Sequence, residues 1–386
     1  MLDVAVIGGG PGGLHAATLL SSAGFDVTLF EEHNEIGQPV HCTGVLADDA
    51  FREFNLSRAS ILNTLSTARF VSPAGFEVSY TTPSTEAHVV DRRLLDRTIA
   101  QQATDAGVRL SAGRRVRNLE PVAGGMRIEI DGTDAVQARA VVLACGASYG
   151  IQRRFGLGMP TVSLNSAQLE VPSRRGGDVE VYFGRDWAPG GFGWTVPVTR
   201  PTGAFVRVGL MCEGDATVFF RQFVSRVAAS WGIPIELVGE PRRRLLPLST
   251  LSRTFASRLL VVGDAAGLVK PTTGGGIYYS LVSATLAAET LIAALRSDRL
   301  DTDGLAVYQQ RWRQRLGPEF QTQLALRMLA QRMSDAEIDS LFDLALTDGV
   351  MPIVRRTARF NRHRDLIVAL FKHAPARRVL FRRLIN

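Results

Sequence analysis

The sequence predicts an α/β chain (α+β overall) with three parts: a domain on a mostly parallel sheet, a second domain of β-sheet, and a helical C-terminal segment. Three observations carry this. A strand, a glycine-rich turn, a helix and a second strand follow one another before Glu32. The stretch from Thr161 to Cys212 is rich in strand patterns and punctuated by glycine and proline, unlike its flanks. From Leu305 onward the pattern is helical.

In order, Val4–Ile7 is a short apolar run and Leu14–Ala23 is rich in Ala and Leu, as a buried helix is. Asp26–Phe30 is the next strand and ends at Glu31-Glu32. Thr67–Ser72 and Phe76–Tyr80 flank Pro73-Ala74-Gly75 and read as a hairpin. Leu94–Ala106 has a helical pattern stopped by Gly107. Short strands follow at Val116–Leu119, Met126–Ile130, Val136–Ala138 and Ala140–Ala144. Phe219–Trp231 is an amphipathic helix within the second domain, and Leu259–Val262 is a buried strand running into Gly263-Asp264. The expected division is 1–60, 88–150 and 246–297 for the first domain, 61–87 and 151–245 for the second, and 298–386 for the helical segment.

Composition narrows the classes. The net charge of +7 is carried almost wholly by arginine, since Lys270 and Lys372 are the only lysines. Cys42, Cys145 and Cys212 show no C-x-x-C spacing, which argues against a zinc site or a disulfide framework. No metal is expected, and a reducing cytoplasmic compartment is the default. No run of about 18 apolar residues occurs, so a spanning helix is not expected.

Gly8-x-Gly10-x-x-Gly13 has a reason for each glycine: a tight turn out of the strand, backbone approach to a pyrophosphate, and close helix–sheet packing. The following helix offers free N–H groups to phosphate. Glu31, with Glu32 beside it, ends the second strand where a ribose diol would bind. This is a Rossmann-like unit. Val261-Val262-Gly263-Asp264-Ala265-Ala266-Gly267 resembles the second flavin motif of the glutathione-reductase-like and hydroxylase-like flavoproteins, in which the Asp binds the ribityl chain. The two motifs together select FAD over NAD. No second G-x-G-x-x-G follows a strand, so no built-in NAD(P)H domain is expected.

Further segments are similar to the geranylgeranyl reductase family. They are Glu35-Ile36-Gly37-Gln38-Pro39-Val40-His41-Cys42-Thr43-Gly44, Val89-Val90-Asp91-Arg92-Arg93-Leu94-Leu95-Asp96, Gly263 to Tyr279 with Lys270 to Ile277 inside it, and Phe192-Gly193-Trp194-Thr195-Val196-Pro197. The matches run in the family's order as far as about residue 300. Phe192 and Val196 stand where Tyr and Phe are expected, and Thr43-Gly44-Val45 departs slightly from the usual run, which leaves the substrate's identity open.

The resemblance implies reduction of C=C bonds in the prenyl chains of an isoprenoid lipid, with hydride from reduced flavin N5 and a proton to the other carbon. It places the cofactor against Gly8, Gly10, Gly13, Glu31, Glu32, Cys42, Thr43, Gly44, Arg92, Val116, Gly146, Asp264, Gly275, Gly276 and Ile277. Cys42 lies beside the flavin ring to donate a proton, tune the flavin or seal the pocket; a small buried residue is the plainer reading. His41 titrates near neutral pH and is the second catalytic candidate; a surface or structural histidine is the plainer reading. Trp194, Phe192, Tyr278 and Tyr279 are the expected substrate-lining residues. The electron donor is external and unresolved among a ferredoxin, a quinol and NAD(P)H. An FAD-dependent monooxygenase and a non-enzymatic prenyl-binding protein are the alternatives.

Between Arg355 and Arg383 nine arginines, Lys372 and two histidines face one acid, Asp365, with apolar runs at Leu366–Phe371, Val379–Phe381 and Leu384-Ile385. A basic helix with an apolar face suits a membrane surface, so peripheral attachment at the inner face of the cell membrane is one expectation; a solvated helix packed on the body is the other. No nucleic-acid module accompanies it, and no nucleic-acid partner is expected.

Overall fold

Val4, Ala5, Val6 and Ile7 are apolar on both faces of their strand, the pattern of a strand covered on both sides, and all four are buried. In the computed structural model, which describes residues 1–347 and 349–381, Leu2–Ile7 occupies the middle of an eight-stranded sheet. Val27–Phe30 and Val136–Leu143 flank it in parallel, and Leu259–Val261 extends the sheet beyond Val136–Leu143. Ile7 is in register with Phe30 and Leu143, and Leu143 with Val261. Four separate segments therefore end in one row, and the residues after them emerge from the same edge.

Val136–Leu143 is one strand, not the two expected. The charge of Arg139, where the sequence pattern seemed to break, leaves the strand to bond Asp3 at 3.1 Å and the Leu295 carbonyl at 3.1 Å. Ladder hydrogen bonds are unaffected by a side chain that exits this way. The helix before Gly107 starts at Arg92, capped by Asp91, whose carboxylate accepts from the Leu94 N–H.

A seven-stranded sheet runs in the order Arg242–Pro247, Ser163–Pro172, Gly203–Cys212, Phe192–Arg200, Val179–Tyr182, Thr67–Val71, Glu77–Thr81. Ala216–Trp231 covers one face with Phe220, Phe223 and Trp231. The alternate residues of the strands, among them Val181, Trp194 and Val196, line the main cavity. A small sheet of Val45–Ala47, Ala87–Val90 and Ile61–Leu65 lies where the chain passes between the two larger ones.

Ile277–Arg296 is apolar nearly all round and packs between Pro11–Ser22 and Thr302–Ala330. It is the one helix among the described residues long and apolar enough to cross a membrane, and it is the core helix of the first domain. After Thr302–Ala330 come Asp335–Thr347, Val350–Thr357, Arg364–Lys372 and Ala374–Leu380.

Leu281 is fully buried on the core helix. Leu281→Ala is expected to cost about 2–5 kcal/mol, read as a lower denaturant midpoint.

Candidate functional site

The sheet edge that carries the four strand ends opens on a cavity of about 1190 Å³. That exceeds the 300–1,000 Å³ or so of a typical small-ligand site, room for a dinucleotide and part of a long chain together.

The glycine loop shows which of its glycines serve the protein and which the ligand. Gly8 has φ +109°, and a Cβ there would lie 2.3 Å from the Ala144 carbonyl oxygen. A Cβ on Gly13 would lie 2.0 Å from the Gly8 carbonyl oxygen. Gly10 lines the cavity, and a Cβ on it would meet nothing within 4 Å. Its missing side chain leaves space that no protein atom uses, which fits close approach of a bound pyrophosphate. Glu31 braces this loop: one carboxylate oxygen accepts from the Gly9 N–H at 2.6 Å and the other from the His33 N–H at 2.9 Å. Glu32 pairs with Arg115 at 3.4 Å on the rim, and Val116 and Gly146 also line the cavity.

Opposite, Asp264 sits in the turn after Leu259–Val261 and faces the cavity. Burial pushes its carboxyl up, against the pull of Arg244 and Arg92, and it forms no ion pair among the described residues. A Cβ on Gly276 would lie 2.6 Å from Asp264 Oδ1, so only glycine lets the acid stand there. Gly275, Gly276 and Ile277 bring the uncapped N-terminus of the core helix to the same wall. An acceptor for hydroxyls, free N–H groups and an open glycine loop together suit FAD.

Between these walls runs the loop of His41, Cys42, Thr43 and Gly44. Cys42 Sγ accepts from the Gly44 N–H at 3.3 Å, and the Arg92 guanidinium lies against the thiol. Arg92 is held by Asp96 through bonds of 3.1 and 2.8 Å. The second domain grips the same loop: Arg207 donates to the Thr43 carbonyl at 2.5 Å and the Val90 carbonyl at 3.0 Å, and Thr43 Oγ1 donates to Gln168 at 2.7 Å. Burial works to raise the Glu170 carboxyl, but Arg200 and Arg207 outweigh it and hold it below the usual range. His41 lines the cavity with Nδ1 buried and unbonded. Burial, then Arg244 and Arg242, lower its pKa to about 4, so it stands neutral at pH 7 and is no imidazolium acid.

Phe192 and Trp194 lie on one face of their strand and line the cavity, continuing through Phe183 to Phe342 with ring centroids 5.9–6.1 Å apart. Tyr278 and Tyr279 do not line it, contrary to expectation. The first turn of the core helix turns Ile277 and Ser280 inward, and its 3.6-residue period points the two tyrosines away. Tyr278 donates to Glu53 at 2.9 Å and Tyr279 to the Asn361 carbonyl at 2.5 Å.

The sequence reading missed the far wall. Phe342, Val354, Phe360, Ile367, Leu370 and Leu380, all from the C-terminal segment, close the apolar end of the cavity. The signal was present in the apolar positions at helical spacing between the arginines, such as Ile367 and Leu370. Leu384-Ile385 and Arg383 lie outside the described residues.

A dinucleotide-type sheet with a parallel centre and a largely antiparallel second sheet, in which only Val179–Tyr182 and Thr67–Val71 pair in parallel, share one cavity, the architecture of the two-domain flavoproteins. Solved structures agree on the fold. A geranylgeranyl bacteriochlorophyll reductase-like protein from Thermoplasma acidophilum matches with TM-score 0.85 and 22% identity, over 99% of this chain and 98% of its own. The halogenase PltM in complex with FAD matches with TM-score 0.68 and 15% identity, over 98% of this chain and 85% of its own. A family model described as lycopene cyclase protein matches residues 3–344. Digeranylgeranylglycerophospholipid reductase 2 of Methanothermobacter thermautotrophicus is 31% identical over 88% of this chain and 90% of its own. Digeranylgeranylglycerophospholipid reductase of Methanocaldococcus jannaschii is 28% identical over 88% and 89%. The chain belongs to the geranylgeranyl reductase family.

Burial lowers the pKa of His15 and His41 to about 4 and of His363 to about 3. The unfolded chain, with histidines near 6.5, binds more protons than the folded one below that pH. Stability is therefore expected to be full above about pH 6.5 and to fall as pH drops toward 4. Denaturant melts across this range check it, and His363→Gln is expected to flatten part of the fall.

Proposed function

We propose that this chain is an FAD-dependent oxidoreductase that reduces C=C bonds in the prenyl chains of an isoprenoid lipid. The observation that carries the reading is one cavity with two unlike ends. One end is lined by the glycine loop, Asp264 and a helix N-terminus, and the other by aromatic and aliphatic side chains from the second sheet and the C-terminal helices. The relatives named as digeranylgeranylglycerophospholipid reductases supply the substrate class, a prenylated glycerophospholipid.

Gly8–Gly13, Glu31, Arg92, Asp264 and Gly275–Ile277 would hold FAD, which when bound and reduced supplies the hydride. The chain's own residues do the rest. An isolated alkene accepts hydride only as positive charge develops at its other carbon, so the site must be dry and must deliver a proton there. The aromatic faces of Trp194 and Phe192 line the apolar end, where they exclude water and favour developing positive charge. Cys42 lies between the two ends, its thiol flanked by Arg92 and the Gly44 N–H, and is placed to supply the proton. Electrons come from an external donor: a ferredoxin, a quinol or NAD(P)H.

Anaerobic incubation of dithionite-reduced protein with prenylated ether lipids is expected to add two hydrogens per reduced double bond by mass, with the gain strongly reduced in Cys42→Ala. No mass gain there, together with oxygen consumed in step with substrate oxidation when the reduced protein is mixed with oxygen in a separate arm, would establish a monooxygenase.

The outer faces of the C-terminal helices carry Arg355, Arg356, Arg364, Lys372, Arg377 and Arg378, while their inner faces line the cavity. This supports peripheral attachment to an anionic membrane on the cytoplasmic side, with lipid entering past these helices. Sedimentation with anionic vesicles is expected to weaken when these six residues are changed to Gln; unchanged binding would sink the membrane reading.

A further inference from the structure

Lys270 sits in the loop between the Asp264 turn and the core helix. The loop closes on itself, the Lys270 N–H donating to the Gly275 carbonyl at 3.0 Å and the Gly274 N–H to the Lys270 carbonyl at 2.9 Å. The side chain lies directly against the helix N-terminus: a Cβ on Gly275 would lie 2.7 Å from its Cε and 3.4 Å from its Nζ. The residue is 4% exposed. Its ammonium donates to the Phe360 carbonyl at 2.9 Å and lies 4.2 Å from the centre of the Phe360 ring.

The ammonium has no carboxylate at ion-pair distance among the described residues. Glu319 is engaged by the N–H groups of His363 and Arg364 and by Gln323, and Asp49 by Asn361 at 3.0 Å. Burial lowers the Lys270 pKa to about 8, against the more distant pull of Glu319 and Asp49, so the amine is charged at pH 7. A buried cation with only a neutral carbonyl and a ring face for company is costly unless an anion comes near. The positive end of the core helix points at the same wall of the cavity, so both fields add there.

We propose that Lys270 is a positioning residue whose charge, with the helix N-terminus, favours the anionic reduced form of the bound flavin over the neutral oxidised form. The proposal rests on the FAD reading above. Lys270 acts through the field at the Gly274–Ile277 wall, and the second role of its side chain is to tie the C-terminal Phe360 to that wall.

The test uses the full FAD-loaded chain. Lys270→Gln keeps a donor for the Phe360 carbonyl without the charge, and Lys270→Arg keeps the charge. The flavin reduction potential is measured by dye equilibration. Affinity for sulfite, which adds to oxidised flavin and leaves negative charge on it, is measured by bleaching of the flavin absorbance. In K270Q the reduced form is expected to lose about tenfold in stability relative to the oxidised, a fall of about 30 mV for a two-electron couple, with sulfite binding weakened alongside. K270R is expected to stay near the parent protein in both. Unchanged values in K270Q overturn the proposal, as does an equal fall in K270Q and K270R, which would assign the effect to packing. Should K270Q fail to retain flavin, Lys270→Met carries the test: the same fall in potential is expected, and an unchanged potential overturns the proposal. A parent chain that binds no FAD would instead sink the functional reading beneath it.

Discussion

The structure depends on the register of four parallel strands that end in one row at Ile7, Phe30, Leu143 and Val261. In a strand the side-chain period is two, so a slip of one residue would move every side chain to the other face. Here it would also carry Gly8, Glu31, Gly146 or Asp264 away from the common edge. The burial of these strands on both faces keeps them in place. A cofactor site composed from residues more than 250 positions apart is thus held by core packing, with Gly8 and Gly13 allowing backbones to meet at distances no side chain would permit.

The second dependency is the grip of Arg207 on the loop of Cys42. Arg207 is almost fully buried on the second sheet, and its guanidinium joins Glu170 to the carbonyls of Thr43 and Val90. A charged group with several hydrogen bonds fixes geometry well, because removing any partner leaves the others unsatisfied. The Cys42 thiol, proposed above as the proton donor, is therefore positioned jointly by the sheet that carries the glycine loop and the sheet that carries Trp194. Arg92, clamped by Asp96, supports it from the other side.

Much of this was legible in the sequence because the nucleotide-binding half is built from local patterns. A glycine spacing, an acid at a strand end and an Asp after a buried strand each have a physical meaning that survives without the fold. The register that unites Gly8 with Asp264 is not local, yet two motifs for one ligand imply it. What could not be read was side-chain direction around the core helix. Tyr278 and Tyr279 follow the motif in sequence, but one helical turn is enough to point them at Glu53 and Asn361. The C-terminal wall was hidden differently. Its arginines dominated the pattern, and the apolar faces between them had no visible partner until the second sheet supplied one.

That wall is contributed by one contiguous stretch at the end of the chain, whereas the cofactor half is woven from segments throughout it. The two halves of the cavity are therefore unequally constrained in descent. Substitutions, insertions or exchanges among the helices after Asp335 alter the depth and shape of the apolar end without disturbing a strand of the parallel sheet. The apolar end can thus be reshaped while Gly8, Glu31 and Asp264 keep their common edge, provided Phe360 stays against Lys270.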